Sequence, residues 1–347
     1  MPNILITGGG APGIVGTIYA LKKGDPDIRI ITADIKDNVV GKYISDAFYL
    51  IPKPDNIHFI ERIEEIVDKE EIDVILPQVE DELSVLSCHN FGIPVVVSSP
   101  ETIRLSGNKQ ELSFVAEVLD IPLPRFMVAT DKESFIIAAE ELGYPDKKVV
   151  VKPPQSSGMR GFRILSDRPW DSKRFIEEKP NRVEITLEGF LDIFDKDLPK
   201  LMLMEDLPGD EYTVDCFRGR GGFVAIPRLR ENIRTGITFD TKVVLDNKLI
   251  KYSRELANRL DLKYCFGFQF KCDNKGLPRL IECNPRVQGT MVVSMFGGFN
   301  IIYNSVREAL DMDVDMENIN LKEISFRRYW GGIAVDGDKI EEIHGIF

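Results

Sequence analysis

The stretch Leu280–Arg286, L-I-E-C-N-P-R, carries three polar side chains at alternate positions. Side chains alternate between the two faces of an extended strand, so Glu282, Asn284 and Arg286 are predicted to share one face. A carboxylate and an amide oxygen suit Mg²⁺ as ligands, and a nearby guanidinium suits phosphate. The spacing therefore indicates a metal–phosphate site, while a salt-bridged edge strand would give the same pattern.

Gln269 is predicted to join this group across a β-hairpin. Two strand patterns flank the four-residue turn D-N-K-G at 273–276. Pairing of Cys272 with Arg279 would set Gln269 opposite Glu282, so that both face the same side of the sheet. A slip by one residue would bury the charges and expose phenylalanines, so the hydrophobic pattern favours this register.

A second phosphate signal lies in the middle of the chain. Lys152 leaves a buried strand pattern and is followed by the loop Q-S-S-G-M-R-G at 155–161, which contains Ser157, Gly158 and Gly161. Backbone N–H groups and one ammonium facing the same anion form a phosphate cradle, although this is not a P-loop. The alternative is an ordinary hairpin loop with an exposed lysine.

The apolar strand pattern at 201–204 runs into the acidic turn Glu205-Asp206-Leu207, with Glu211 four residues further on. Such a strand end can stack a purine and read its edge with backbone groups, and a second carboxylate can accept ribose hydroxyls. A core strand that ends in a solvated turn would look the same.

Gly8, Gly10 and Gly13 match G-x-G-x-x-G between a strand and a helix, and Asp34 follows at the end of the next strand. Read literally, this is a dinucleotide fingerprint. Any tight strand-to-helix turn also needs glycines there, and a phosphate or carboxylate at the helix N-terminus is a further alternative.

Composition narrows the class of protein. The 347 residues are 43% hydrophobic and 29% charged, with a net charge of −12, which is typical of a soluble chain of two or three domains. The acidic balance argues against a nucleic-acid or anionic-membrane surface, and the absence of a long apolar run or leader pattern argues against membrane insertion or secretion. Five scattered cysteines and three histidines (His58, His89, His344) favour reduced thiols in a cytoplasm and disfavour a histidine zinc site.

The order of elements predicts the fold class. Strands and helices alternate over the first hundred residues, with a fourth strand expected at Pro94–Ser98, which predicts a parallel, doubly wound α/β sheet. From Lys147 short strands dominate in an α+β pattern. Domain boundaries are therefore predicted near 108 and 205, which gives domains 1–108, 109–205 and 206–347.

In this order the motifs resemble the ATP-grasp superfamily, and most closely the branch of the carbamoyl phosphate synthetase large-subunit halves, from about Ile4 to Leu310. The resemblance implies an N-terminal pre-ATP-grasp (Rossmann-like) parallel sheet followed by a two-lobed ATP-grasp fold. It implies ATP with one or two Mg²⁺ ions, or Mn²⁺ in their place, and assigns each motif a role. The metal ligands would be Gln269, Glu282 and Asn284; the phosphate-binding residues Lys109, Lys152, Gly158 and Gly161; the adenine hinge Glu205, Asp206 and Leu207; the ribose ligand Glu211; and the catalytic arginine Arg286.

Two segments depart from the family pattern. The phosphate loop reads S-S-G-M-R-G where relatives often have paired glycines, and Arg234-Thr235-Gly236 stands where the synthetases show His-Thr-Gly. Arg228, Arg230 and Arg234 favour an anionic substrate or an acyl phosphate, so Arg230 and Arg234 join the candidate catalytic residues. A solvated basic loop over 228–234 is the alternative.

The activity that the resemblance implies is ATP-dependent ligation. A small-molecule carboxylate would become an acyl phosphate and then couple to an amine, releasing ADP and phosphate. The alternatives are a small-molecule kinase or carbamoyl phosphate synthetase-like phosphotransferase, a nucleotide-binding regulator without turnover, and a dehydrogenase. The expected partners are the two small substrates in a cytoplasmic setting, with neither nucleic acid nor membrane, and an assembly of identical chains is compatible with the sequence.

Overall fold

The computed structural model describes residues 2–156, 158–169, 171–178, 183–329, 331–336 and 339–342. The chain forms two compact units. The first unit comprises Met1–Gly107, Asp210–Phe270 and Glu282–Phe347, and the second comprises Asn108–Gly209 and Lys271–Ile281. The predicted division into three domains stays a prediction.

The N-terminal part of the first unit is built around a four-stranded parallel sheet of order β3-β2-β1-β4. Its strand interiors are apolar and fully buried, which is the pattern of a sheet covered on both faces. The elements are β1 (Asn3–Thr7), α1 (Ile14–Gly24), β2 (Arg29–Asp34), α2 (Gly41–Ile44), β3 (Ala47–Leu50), α3 (Phe59–Glu70), β4 (Val74–Pro77), α4 (Glu80–Cys88) and α5 (Pro100–Gly107).

The prediction of a strand at Pro94–Ser98 is wrong. This segment makes only an isolated bridge between Ile75 and Val95, because Pro94 has no N–H to donate and Gly92 turns the chain with φ +72°. The fourth strand is instead β3, whose half-exposed A-F-Y-L sequence gave no clear strand pattern.

The second unit holds a five-stranded sheet of order β5-β9-β6-β7-β8, antiparallel except for the β7–β8 pair. Its own core includes Phe135 and Phe190, whose rings stack at 4.8 Å. The elements are α6 (Lys109–Val118), β5 (Phe126–Ala129), α7 (Lys132–Glu141), β6 (Val149–Lys152), β7 (Arg163–Leu165), α8 (Ser172–Glu177), β8 (Glu184–Ile185), α9 (Leu187–Leu191) and β9 (Leu201–Glu205).

The remaining strands include a six-stranded sheet of order β14-β13-β10-β11-β12-β15 and a separate β16–β17 hairpin. Its β10–β11, β11–β12 and β12–β15 pairs are antiparallel. The elements are β10 (Glu211–Gly219), β11 (Gly222–Arg234), β12 (Ile237–Val243), α10 (Asn247–Leu260), β13 (Tyr264–Cys272), β14 (Pro278–Asn284), α11 (Val293–Phe296), α12 (Ile301–Ala309), β15 (Ser325–Arg327), β16 (Ile333–Asp336) and β17 (Lys339–Glu342).

The basic segment 228–234 is not a loop, which corrects the alternative interpretation of the sequence. It is the second half of β11, and the chain turns at Thr235 and Gly236, which have φ of +47° and +81°. The Arg228 and Arg230 side chains are buried, whereas Glu231 and Arg234 are exposed, so the polar sequence hid a strand.

Helix α12 joins the two sheets of the first unit. It contacts both α1 and β10, and its Ile302 and Val306 belong to one core with Ile4 and Phe217. The Asn300 side chain, which caps α12, also donates to the Ala20 carbonyl at 2.7 Å. Residues of the N-terminal parallel sheet and of the later antiparallel sheet therefore meet in one hydrophobic core.

Polar residues meet at the carboxyl edge of the parallel sheet, where β1 and β4 end. Glu82 is 2% exposed and accepts a short hydrogen bond from the Thr7 hydroxyl. Burial raises the pKa of the Glu82 carboxyl to about 7, the charges of Asp34 and Asp81 act in the same direction, and the Thr7 bond opposes them. Near neutral pH this buried carboxyl is therefore only partly ionised.

None of the helices in the described ranges is both long and apolar enough to cross a bilayer.

Replacing Gly24, the last residue of α1, should destabilise the first unit. A Cβ there would lie 2.2 Å from Cγ of Tyr303, so the Gly24→Ala variant should lose about 1–3 kcal/mol of unfolding free energy. Gly107 ends α5, and a Cβ there would meet only Glu80 Oε1 at 3.9 Å, which makes Gly107→Ala the matched control. Urea denaturation measures both variants, and equal stabilities would contradict the close packing of α1 on α12.

Glu82 should make stability depend on pH. Its pKa is raised from 4.5 to about 7 in the folded chain, so its contribution is complete below pH 4.5 and is lost as the pH rises through 7. The loss should reach about 3 kcal/mol, and the uncharged Glu82→Gln variant should lack it. Urea denaturation of both proteins between pH 4.5 and 8.5 measures this difference, and parallel pH profiles would show the prediction to be wrong.

Candidate active site

The three polar residues of the 280–286 stretch contact one another in sequence order, as the alternation predicted. Asn284 donates from Nδ2 to Glu282 Oε1 at 3.1 Å, and Arg286 donates from Nη2 to Asn284 Oδ1 at 3.3 Å. Arg286 also forms an ion pair with Glu80 at 3.5 Å and donates to the Val287 carbonyl. One carboxylate, one amide and one guanidinium thus follow one another from the end of β14.

Gln269 is connected to this group through Arg230. Arg230 Nη1 donates to Gln269 Oε1 at 3.2 Å and also forms an ion pair with Glu211. Burial lowers the pKa of Arg230, while the negative charges of Glu211 and Glu282 oppose that shift. Gln269, Glu211 and Glu282 therefore surround one buried guanidinium, which Thr238 Oγ1 and the Gly236 carbonyl hold from the other side at 2.8 and 2.6 Å.

The hairpin that carries Gln269 closes differently from the predicted register. Asp273 N–H donates to the Leu277 carbonyl, and Gly276 N–H donates to the Asp273 carbonyl, both at 3.0 Å. Cys272 and Pro278 therefore stand just outside the turn, whereas the sequence-based register paired Cys272 with Arg279, so the turn does not support the predicted pairing of Gln269 with Glu282. The cause is Gly276, whose φ of +77° completes the turn one residue earlier.

The predicted metal ligands are oxygen-rich side chains of the kind that magnesium prefers. They are the amide oxygens of Gln269 and Asn284 and the carboxylate of Glu282, and Mg²⁺ prefers such hard oxygen ligands. The described residues contain no cluster of three or more His, Cys, Asp or Glu side chains placed to bind a metal. Amides supply two of the three predicted ligands, so the predicted set stays a prediction.

Arg234 lies apart from Arg230. Its guanidinium stacks over the Phe239 ring, 4.5 Å from the centroid, and it is exposed at the tip of β11. Arg228 and Arg230 are instead buried on the inner face of the same strand. Of the three arginines, two therefore point into the protein.

Asp215, which the sequence analysis missed, is the partner of Arg228. Arg228 donates from Nε and Nη2 to the Asp215 carboxylate at 2.5 and 3.0 Å, and both side chains are almost completely buried. The signal was available in the sequence, because a carboxylate within an apolar strand such as T-V-D-C-F needs a cation.

In the second unit, Lys109 and the loop after Lys152 come together. The Lys109 side chain donates from Nζ to the Ser156 carbonyl at 3.1 Å, and its backbone N–H donates to the Pro154 carbonyl at 2.9 Å. Asn108 caps α6 by accepting from Gln110 and Glu111 N–H. Sequence reasoning assigned both segments to phosphate binding, and the structure shows them in contact.

Lys152 ends β6 and is 8% exposed, with Nζ donating to the Ile281 carbonyl at 3.2 Å. Gly158 and Gly161 both have positive φ, +61° and +72°. At Gly161 a Cβ would also collide with the Pro153 ring at 2.7 Å, so this position needs glycine, whereas nothing lies near Gly158. Ser157, in the same predicted loop, lies outside the described residues.

The predicted adenine hinge follows β9. Glu205 Oε1 accepts from Arg125 N–H at 2.9 Å, so this carboxylate secures the strand end. Asp206 lies 3.9 Å from Lys271, and Leu207 is 5% exposed. Gly209 N–H then donates to the Cys272 carbonyl at 3.0 Å.

The N-terminal glycine turn is closed by Asp34. This carboxylate accepts from Gly10 N–H at 2.7 Å and from Lys36 N–H at 2.9 Å. Its oxygens therefore serve the backbone of the turn, which gives Asp34 a structural role and leaves the dinucleotide interpretation without support.

The histidines and cysteines carry little of this chemistry. His58 and His89 pair with surface glutamates at 2.8 Å, and His344 lies outside the described residues. The cysteines are free thiols, buried except for Cys88, and burial raises the pKa of Cys265 to about 12.

Two family models match separate parts of the chain. Residues 4–96 match the PylC-like N-terminal domain, and residues 197–328 match the family described as ATP-grasp in the biosynthetic pathway with Ter operon. The two matches cover the parallel sheet and the strands β13 and β14, which carry the predicted metal ligands.

Curated relatives lie at low identity. The carbamoyl phosphate synthase large chain of Clostridium acetobutylicum is 25% identical over 251 residues, which cover 68% of this chain and 22% of that protein. The formate-dependent phosphoribosylglycinamide formyltransferase of Hydrogenovibrio crunogenus is 29% identical over 210 residues, which cover 58% and 50%. The chain thus spans half or less of the length of these two relatives.

Solved structures confirm the predicted fold class. The biotin carboxylase domain of Hydrogenobacter thermophilus 2-oxoglutarate carboxylase superposes with a TM-score of 0.71 at 18% identity, over 99% of this chain and 83% of that one. An N5-carboxyaminoimidazole ribonucleotide synthetase, solved as an ADP complex, gives 0.69 at 16% identity, over 93% and 80%. The chain therefore has the fold of these structures, with a segment over 197–328 that matches an ATP-grasp family and a segment over 4–96 that matches a PylC-like N-terminal domain.

Proposed function

We propose that this protein is an ATP-dependent ligase that joins a small-molecule carboxylate to an amine. The carboxylate oxygen attacks the γ-phosphorus, and the bond to the β-phosphate oxygen breaks, which yields an acyl phosphate and ADP. The amine nitrogen then attacks the acyl carbon, loses a proton, and displaces phosphate. Phosphoryl transfer of this kind depends on positioning and charge neutralisation more than on a protein nucleophile.

The observation that carries the proposal is the group formed by Gln269, Glu282, Asn284, Arg230 and Arg286. Arg230 contacts Gln269, Arg286 contacts Asn284, and Asn284 contacts Glu282. The negative charge of Glu282 also acts on Arg230. An all-oxygen ligand set beside cations suits a magnesium-bound polyphosphate better than it suits a salt-bridged edge strand.

Each residue has a role in this proposal. Gln269, Glu282 and Asn284 would hold Mg²⁺, or Mn²⁺ in its place, and the ion would supply neutralisation of the phosphate charge. Arg286 orients the transferred phosphoryl group, and Arg230 keeps Gln269 in place while adding positive charge, with Arg234 as a further cation at the tip of β11. The nucleotide phosphates would be bound by Lys109, Lys152, Gly158 and Gly161. Adenine would be bound by Glu205, Asp206 and Leu207, and the ribose hydroxyls by Glu211.

Glu282→Ala should abolish ATP turnover while leaving the fold intact. Even outer-shell partners of metal ligands change activity by about 10- to 100-fold, so losing a direct ligand should cost more. Glu282→Gln keeps the acceptor for Asn284 but removes the charge, and should fail similarly. ADP formation measures activity, and circular dichroism checks the fold.

The control is Glu65→Ala, which removes an exposed glutamate of the first unit whose ion pair among the described residues is with Arg62, three residues away. It should keep wild-type turnover. Wild-type ADP formation by Glu282→Ala would refute the proposed metal site.

A panel of carboxylates with and without amines identifies the reaction. A ligase forms an amide, detected by mass spectrometry, and releases phosphate only when the amine is present. A kinase accumulates a phosphorylated product without the amine, and a protein without turnover forms no ADP with any pair.

A further inference from the structure

Strand β15 lies at one end of the six-stranded sheet, and among the described strands it pairs only with β12. The Val243 N–H donates to the Ile324 carbonyl at 2.8 Å, and the Arg328 N–H donates to the Phe239 carbonyl at 2.7 Å. Phe326 lies halfway between Ile324 and Arg328 and is paired with β12 as well. These three positions therefore direct their backbone groups towards β12.

The backbone groups at the alternate positions point away from β12. Hydrogen bonding alternates along an antiparallel strand, so Glu323, Ser325 and Arg327 direct their N–H and C=O groups to the other edge. Within the described ranges these groups make no backbone hydrogen bond, and the three side chains are exposed. An open strand edge is a template for pairing with a further strand.

A row of aromatic rings lies beside this open edge. The Phe326 ring stacks on Phe296 of α11, and Phe296 stacks on Tyr19 of α1, with ring centroids 6.1 Å apart in both pairs. Tyr19 is 43% exposed, Phe296 is 38% exposed, and Val15, one turn before Tyr19, is 57% exposed. Single exposed apolar side chains are common, but a contiguous group beside an open strand edge indicates an interaction surface.

The open edge is complementary to a second copy of itself. Two β15 strands that pair antiparallel about a two-fold axis through Ser325 set Glu323 of one copy opposite the partner's Arg327, and the symmetry makes this contact twice. On the other face of the strands, Ile324 lies opposite the partner's Phe326. Opposite charges and apolar side chains are both favourable cross-strand pairs.

The charges favour this register over its neighbours. Moving the axis by one residue in either direction separates Glu323 from the partner's Arg327, so both charge pairs are lost. Within the described ranges, Glu323 Oε2 lies 4.0 Å from Lys242 Nζ, and Arg327 Nε lies 4.0 Å from Asp240 Oδ1. These distances are long for charge-assisted hydrogen bonds, so both side chains remain available to a second copy.

We propose that two copies of this chain form a dimer by pairing their β15 strands about a two-fold axis through Ser325. The two six-stranded sheets then continue as one sheet across the interface. A strand pair of this length supplies backbone hydrogen bonds but little area, whereas stable interfaces bury about 1,200–2,000 Å². The aromatic rows of both copies, Val15, Tyr19, Phe296 and Phe326, therefore form part of the interface. The dimer goes beyond the proposed ligase activity and does not depend on it.

Charge reversal tests the register. Glu323→Arg sets an arginine opposite the partner's Arg327 at both contacts, and Arg327→Glu sets two glutamates opposite each other. Each single variant should therefore raise the dimer Kd by about tenfold or more, whereas the double variant Glu323→Arg/Arg327→Glu restores both pairs and should return to the wild-type Kd. Sedimentation velocity over a concentration series measures the Kd. Lys251→Glu reverses an exposed charge on α10 and is the matched control.

A substitution in the aromatic row tests the apolar part of the interface. Val15→Glu puts a charge on the most exposed member of the row and should weaken the dimer. Thermal unfolding of dilute, monomeric protein separates these effects from a structural role, because exposed charges with long ion pairs contribute little to stability. The Tm of the diluted Glu323 and Arg327 variants should therefore match that of the wild type.

Crosslinking tests the position of the axis. Cys88 is an exposed free thiol, so the experiment uses the Cys88→Ser background. A Ser325→Cys thiol lies opposite its own copy across the axis, and a short bismaleimide should link two chains. Ser84→Cys, an exposed serine on α4, should stay unlinked at the same protein concentration.

Four results would each overturn the proposed dimer. They are a wild type that stays monomeric at every concentration, wild-type dimerisation by both single charge reversals, a double variant as weak as the single variants, and no linked dimer with Ser325→Cys. A lowered Tm of the diluted single variants would assign Glu323 and Arg327 to the fold of the monomer and would also count against it.

Discussion

The stability of the first unit depends on ion pairs and hydrogen bonds to its buried guanidinium groups. Arg228 is fully buried, and its bidentate bond to Asp215 fixes β11 against β10. A buried cation without its carboxylate would be strongly destabilising, so this pair constrains the register of the strands on either side. Because side chains alternate, the same register turns Arg230 inward, where it holds Glu211 and Gln269. Two of the residues near the proposed metal site, Glu211 and Gln269, are thus held by Arg230, a buried cation that needs partners.

The second unit uses a different device for the residues assigned to the nucleotide. Lys109 and Lys152 are both buried and donate to backbone carbonyls, so their ammonium groups are held by the fold. Positive φ at Gly158 and Gly161 shapes the loop after β6. Preorganised cations of this kind lose little entropy when they meet a phosphate, which is what phosphoryl transfer requires.

Parts of the fold and of the candidate site were predictable where a short sequence pattern is compatible with only one local structure. The E-x-N-x-R alternation and the Asp273–Gly276 turn both carried local signals. Predictions failed where a local signal competed with a longer-range one. Segment 228–234 reads as a polar loop, yet buried carboxylates on the neighbouring strand make it a strand. Pro94–Ser98 reads as a strand, yet Pro94 and the turn at Gly92 limit it to one bridge.

The amino-acid sequence by itself determined the fold class and indicated the chemical types of the candidate nucleotide and metal residues, because these follow from periodicity and from short motifs. Only the tertiary structure decided which charges are matched. Asp215 and Glu211 lie in a different part of the sequence from Arg228 and Arg230, and their pairing depends on burial and on strand register. The cost of an unpaired buried group is set by its surroundings in three dimensions, so these ion pairs could be identified only in the folded first unit.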